Sequence, residues 1–134
     1  MADYYTQFSM MIDMPDKDAW DKAYAVASRV ENEIAEGEDG YCGLVISVDE
    51  YDGLWIFAED CGEPNHLEQI VKAVVEECGI DKPITVTWAH TCSKARLDAF
   101  GGGGFCVRRG KDTIWVDAGN HLREAISNKF NKES

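Results

Sequence analysis

Polar and apolar positions alternate from the start of the chain, with Phe8, Met10, Ile12 and Met14 on one side and Gln7, Ser9 and Asp13 on the other. A period of two over this length predicts a half-buried strand from Tyr4 to Met14. Pro15-Asp16 then opens a helix, with Asp16 as an N-cap whose carboxylate takes up free amides of the first turn. Trp20, Tyr24, Ala27, either Val30 or Glu31, and Ile34 recur at helical spacing until Gly37, and the acidic segment Glu36 to Gly40 reads as a loop. Tyr41 to Val48 and Leu54 to Glu59 read as strands of a hairpin turning around Asp49 to Gly53. A second helix follows, with Asn65 as the expected cap, Glu68 completing a capping box, and Gly79 as the stop. Its apolar stripe is Leu67, Ile70, Val71, Val74 and Cys78.

Pro83 to Ala89 is rich in β-formers and places Ile84, Val86 and Trp88 on one face. After a glycine-rich segment, Phe105 to Arg108 and Thr113 to Asp117 form an expected hairpin. Asn120 to Asn131 form a helix with Leu122, Ala125, Ile126 and Phe130 on its apolar face. The order β-α-β-β-α-β, then β-β-α, predicts one α+β domain over residues 1–134. The expected architecture is a ferredoxin-like antiparallel sheet with helices on one face, extended by a C-terminal β-hairpin and helix. Such a scaffold hosts many functions and selects none of them.

At 134 residues the chain can bury a single core without disulfides. It has no apolar run of about 18 residues, and its N-terminus lacks a basic flank, so neither a membrane span nor a signal peptide is expected. The five cysteines contain no Cys-x-x-Cys pair, which removes zinc-finger and thioredoxin readings and points to a reducing, cytoplasmic setting. Cys42 and Cys78 read as small core hydrophobes.

Charge changes the picture more than composition does. The net charge is -12, and Asp13 to Glu63 alone hold 15 acidic and 3 basic residues, while the remainder holds 10 of each. Such a field disfavours nucleic acid and anionic membranes as direct partners and favours a protein with a basic surface, including one that itself binds nucleic acid. The same charge also keeps a small domain soluble.

Three segments carry candidate chemistry. In the first, His90, Thr91, Cys92, Ser93, Lys94 and Arg96 precede Gly101, Gly102, Gly103 and Gly104, and Arg108, Arg109 and Lys111 follow. As a loop, this segment would offer bare amides, hydroxyls and cations to an anionic metabolite or nucleotide. It is neither a Walker A loop nor a dinucleotide fingerprint, because the Lys precedes the glycines and a strand follows them. The structural alternative is a tight crossover of closely packed backbones. In the second, Cys92 is a possible nucleophile with His90 as base, although no residue can be named to orient the imidazole. A metal site from His66, His90, His121 and the cysteines would need long-range folding, since no paired-ligand spacing exists, and no cofactor is expected. Adjacent carboxylates such as Glu76 and Glu77 read as solvated.

The third segment is the acidic, aromatic hairpin: Asp49, Glu50, Tyr51, Asp52, Glu59 and Asp60, with Trp55 and Phe57 on one strand face. Tyr5 and Tyr41 lie near acidic positions as well. Aromatic anchors ringed by charge suit a protein interface. The alternative expectation is that the closing hairpin and terminal helix cover Trp55 and Phe57 within the chain.

Trp88-Ala-His-Thr-Cys-Ser-Lys-Ala-Arg96, followed by Phe100-Gly-Gly-Gly, resembles a family of short acidic bacterial proteins of unknown function. Some members of that family are carried on phages, plasmids and other mobile elements. The likeness includes Gly53-Leu-Trp-Ile-Phe57 and the closing hairpin, so it spans most of the chain. It implies no catalytic residue, and His90 varies among the sequences it resembles. The expectation is therefore a non-enzymatic acidic protein acting through protein–protein contact, in its most concrete form a mobile-element inhibitor of a host nucleic-acid-handling or defence enzyme. The alternatives are an anionic-ligand module built on His90 to Arg96 with Gly101 to Gly104, and a thiol enzyme using Cys92.

Overall fold

The computed structural model describes residues 4–37, 43–49, 53–95, 97 and 100–133, with backbone alone for residue 49 and residues 131–133. The elements are β1 (Tyr4–Asp13), α1 (Lys17–Glu36), β2 (Val45–Asp49), β3 (Gly53–Ala58), α2 (Pro64–Cys78), β4 (Ile84–Cys92), β5 (Gly101–Val107), β6 (Ile114–Asp117) and α3 (Ala118–Glu133). All six strands form one antiparallel sheet in the order β2-β3-β1-β4-β5-β6. This order is wider than the four-stranded split βαβ pattern, with β5 and β6 added beside β4. The chain is a mixed α+β protein, with three helices among the described residues.

Strand parity decides which side is covered. Phe8, Met10, Ile12, Leu54, Ile56, Ala58, Ile84, Val86, Phe105 and Val107 are buried and share one face of the sheet. The apolar stripes of α1 (Ala23, Val26, Ala27, Val30, Ile34) and α2 (Leu67, Ile70, Val71, Val74, Val75) close the core over that face. Removing these side chains from water is the main favourable contribution to the fold.

Local signals explain most boundaries. Asp16 caps α1 by accepting from the Ala19 amide, and Gly79 ends α2 at φ 65°, where a side chain would be strained. The α2 start differs from the expectation. Glu63, not Asn65, is the cap and accepts from the Asn65 amide, because Pro64 occupies the first helical position, where its missing N–H costs nothing. An ion pair of Arg29 with Glu77 joins the two helices. The β2 strand begins at Val45 rather than Tyr41, and Tyr41 and Cys42 lie outside the described residues.

Two expectations are corrected by topology. The glycine segment is not a loop: β4 continues through His90, Thr91 and Cys92, and Gly101 to Gly104 open β5, paired from Val86↔Phe105 to His90↔Gly101. The terminal helix does not cover Trp55 and Phe57. It packs beside β5 and β6, whereas those aromatics sit on β3 between β2 and β1, facing away from α1 and α2.

Candidate functional site

The glycines of β5 are explained by room. A Cβ on Gly102 would lie 2.4 Å from the Trp88 carbonyl oxygen, and one on Gly104 would lie 2.8 Å from that of Val86. On Gly103 it would lie 2.3 Å from the Val116 carbonyl oxygen and 2.7 Å from the Trp88 ring. Trp88 is the cross-strand partner of Gly103, so its indole lies over the space where a side chain would stand. Trp88, Phe105 and Trp115 form an aromatic group with centroids 5.1–6.2 Å apart. These three glycines serve close packing of β4, β5 and β6; Gly101 alone faces open space.

His90 is committed within the same region. The Trp88 indole N–H donates to His90 Nε2 at 3.2 Å, and Nδ1 lies 2.9 Å from Thr6 Oγ1. An indole only donates, so Nε2 is the acceptor and neutral His90 carries its proton on Nδ1, given to Thr6. Its lone pair is already engaged, which leaves no free base for Cys92. The Cys92 residue is half-buried at the end of β4, opposite Tyr4.

The cations are also separated. Lys94 and Ser93 follow β4 and are exposed, and Arg96 lies outside the described residues. Arg108, Arg109 and Lys111 stand past the other end of β5, roughly 20 Å away along a seven-residue strand. There the turn is tied to α2 and its C-terminal loop: Arg109 pairs with Asp81 at 2.5 Å, the Gly110 amide donates to Glu76, Lys72 Nζ donates to the Lys111 carbonyl, and Thr113 donates to Glu68. Strand pairing thus divides a cluster that looks continuous in sequence. Among the described residues no group of three or more His, Cys, Asp or Glu could hold a metal ion, and His66, His90 and His121 are not brought together.

The acidic hairpin gives a better-formed site. Gly43, at φ 71°, approaches the Cys61 backbone so closely that a Cβ would fall 2.0 Å from its carbonyl oxygen. That approach shapes a cleft of about 330 Å³ lined by Gly43, Val45, Phe57, Ala58, Glu59, Asp60 and Cys61. An adjoining, more open hollow of about 370 Å³ adds Gln7, Ser9 and Trp55 and shares Phe57, Ala58 and Glu59. The Trp55 and Phe57 rings stack at 4.2 Å, and the Trp55 indole N–H donates to Ser9 Oγ at 2.9 Å. Backbone bonds from the Thr6 amide to Asp60 O (2.7 Å) and from the Gly62 amide to Thr6 O (3.0 Å) hold the acidic corner against β1, and Gln7 donates to Glu59 O. Sequence reasoning missed Gln7, Ser9, Gly43 and Cys61. The first two were visible as the polar face of the first strand; nothing local marked the last two.

Register separates the acidic candidates into two ends. Glu59 and Asp60 adjoin the cleft beside the Val45↔Phe57 pair, whereas Asp49 pairs with Gly53 at the far end of the hairpin. Glu50, Tyr51 and Asp52 lie outside the described residues. The uncovered face of the sheet carries Val45, Trp55, Phe57, Met11, Thr85, Thr87, Ala89, Gly102, Gly104, Cys106, Ile114 and Val116, and no charged residue on β3, β4, β5 or β6. Antiparallel sheets that face only water ordinarily alternate to polar residues on that side.

Two carboxylates elsewhere are shifted in opposite directions. The hydrogen bond from Arg29 holds Glu77 below the usual carboxylate value, and burial raises Glu31 above it. Burial likewise pushes up the Cys78 thiol. No helix among the described residues is long and apolar enough to cross a membrane. No protein-family model, curated protein or solved structure matches this chain.

Proposed function

We propose that this protein is a non-enzymatic acidic binding protein that docks a basic protein surface on the open face of its sheet. The carrying observation is the stacked Trp55–Phe57 pair, open to solvent beside two adjoining clefts and flanked by Glu59 and Asp60. An arginine suits this arrangement. Its guanidinium plane stacks on an indole and its charge meets the carboxylates. The helical layer on the opposite face, and the β1–β3 and β1–β4 pairings at the centre, support reading the core as ferredoxin-like with β5, β6 and α3 added. The resemblance to mobile-element proteins supports the most concrete version, an inhibitor that occupies the nucleic-acid-binding surface of a host enzyme. The separation of Lys94 from Arg108, Arg109 and Lys111 weighs against the anionic-ligand reading, and the engaged His90 weighs against the thiol enzyme.

The test is titration of a fluorescent arginine-rich peptide into the protein at increasing salt. Affinity is expected to fall steeply with ionic strength, and Glu59→Lys with Asp60→Lys to abolish binding. Trp55→Ala should weaken it about 30-fold, the scale of an aromatic anchor worth ~2 kcal/mol. General attraction to a net charge of -12 would leave Trp55→Ala unaffected. That result, or no binding at low salt, refutes the proposal.

A further inference from the structure

We infer that the β6–α3 unit is a self-association surface, where a second copy of this chain pairs antiparallel with β6 and covers the apolar stripe of α3. This surface is separate from the Trp55–Phe57 site. The α3 helix supplies the first reason. Every residue of it whose side chain is described is exposed, including Leu122, Ile126 and Phe130, which recur at four-residue spacing along one stripe. A helix of this length containing Gly119, Asn120, Ser127 and Asn128 has little intrinsic stability. Its start is secured, since the Asp117 carboxylate accepts from the Asn120 amide. The helix lies beside β5 and β6, yet Leu122, Ile126 and Phe130 stay exposed.

The edge of the sheet supplies the second reason. β6 is the last strand, and its sequence Ile-Trp-Val-Asp carries no Lys or Pro to guard an unpaired edge; its one charge, Asp117, stands at the strand's end and is engaged in capping α3. An antiparallel pair of identical edge strands is two-fold symmetric, so one contact satisfies both copies and closes. Continuing the sheet places neighbours beside Trp115 on one face and beside Ile114 and Val116 on the other, with α3 following directly. Ile114, Trp115, Val116, Leu122, Ile126 and Phe130 expose between 42% and 66% of their surface. At ordinary side-chain sizes this is roughly 600 Å² per chain. Covering it in both copies removes about 1,200 Å², the lower bound for a specific interface before strand pairing and a polar rim are added.

Charge selects this edge over the other. Residues 1–83 hold 20 acidic and 5 basic groups, whereas residues 84–134 hold 5 acidic and 8 basic. Pairing through β2 would bring two strongly acidic halves together. Pairing through β6, at the opposite end of the strand order, joins the mildly basic ends and keeps the acidic halves apart.

Sedimentation and light scattering of the full chain up to about 1 mM should give a two-chain mass at the upper end. Leu122→Asp with Ile126→Asp, and separately Val116→Lys, should each weaken dimerisation by about 100-fold or more. Far-UV circular dichroism checks that the sheet is kept, and the exposed positions of these residues make loss of the core fold unexpected. A single-chain mass across the whole range overturns the inference. So does a dimer that these variants leave intact. A dimer dissolved instead by Trp55→Ala would also overturn it and assign self-association to the open face. Peptide binding at Trp55 and dimerisation at β6 are read independently, so either can fail alone.

Discussion

Gly103 offers the sharpest check on the glycine strand. Replacing it with Ala puts a methyl carbon 2.3 Å from the Val116 carbonyl oxygen and 2.7 Å from the Trp88 ring. The ring could tilt, but the carbonyl belongs to the neighbouring strand and moves only if β5 and β6 part. Overpacking costs ~1–3 kcal/mol, and a backbone obstacle puts this case near ~3 kcal/mol. Ala recovers ~0.5–1 kcal/mol through the lower entropy of its unfolded chain, because Gly103 has no left-handed backbone to forbid it. The net loss is about 2 kcal/mol. In a domain of 134 residues it corresponds to a fall in Tm of roughly 6–10 °C. Gly101→Ala is the matched control, since a Cβ there meets nothing within 4 Å; it should be neutral or stabilise by up to about 1 kcal/mol. Urea unfolding with thermal melts measures both. Gly103→Ala within about 0.5 kcal/mol of the parent, or indistinguishable from Gly101→Ala, would refute close packing as the reason for these glycines.

Two further tests use the shifted groups. Burial raises Glu31 in the folded state, so its ionisation costs stability as pH rises through that raised value; Glu31→Gln should raise Tm at neutral pH and do little well below pH 4.5, where the carboxyl is protonated folded or unfolded. Glu77 runs the other way, its contribution being present above 4.5 and lost as pH falls through the lowered value, so Glu77→Gln should lower Tm at neutral pH; the same sign for both variants there would contradict the assignment. Iodoacetamide labelling followed by peptide mass spectrometry should modify exposed Cys61 well ahead of Cys78, whose thiol is partly buried and raised, and equal rates would count against the placement of α2.

Legibility followed the range of the interaction. Asp16, Gly37 and Gly79 were readable because caps act within one turn. Asn65 was misread as the cap because the capping-box pattern ignored Pro64, whose ring fixes the first helical position. The alternation of Phe8, Met10 and Ile12 named the buried face of β1, but the glycines carry no side chains and hence no periodicity. Only their register against Trp88 and Val116 shows them to be strand residues. The basic residues around positions 94–111 looked like one cluster because they are close in sequence, and an extended strand puts its ends far apart.

The amino-acid sequence by itself determined the element order, the helix stripes, the core face of each long strand and the concentration of acid between Asp13 and Glu63, since all of these are properties of neighbours a few residues apart. Tertiary structure decided the rest. Pairing β3 between β2 and β1 left Trp55 and Phe57 on an uncovered face, and placing β6 at the sheet edge left the apolar stripe of α3 exposed beside β5 and β6. The physical reason is that a strand's side chains have two directions fixed by the pleat, but what lies beyond each face depends on where distant segments dock.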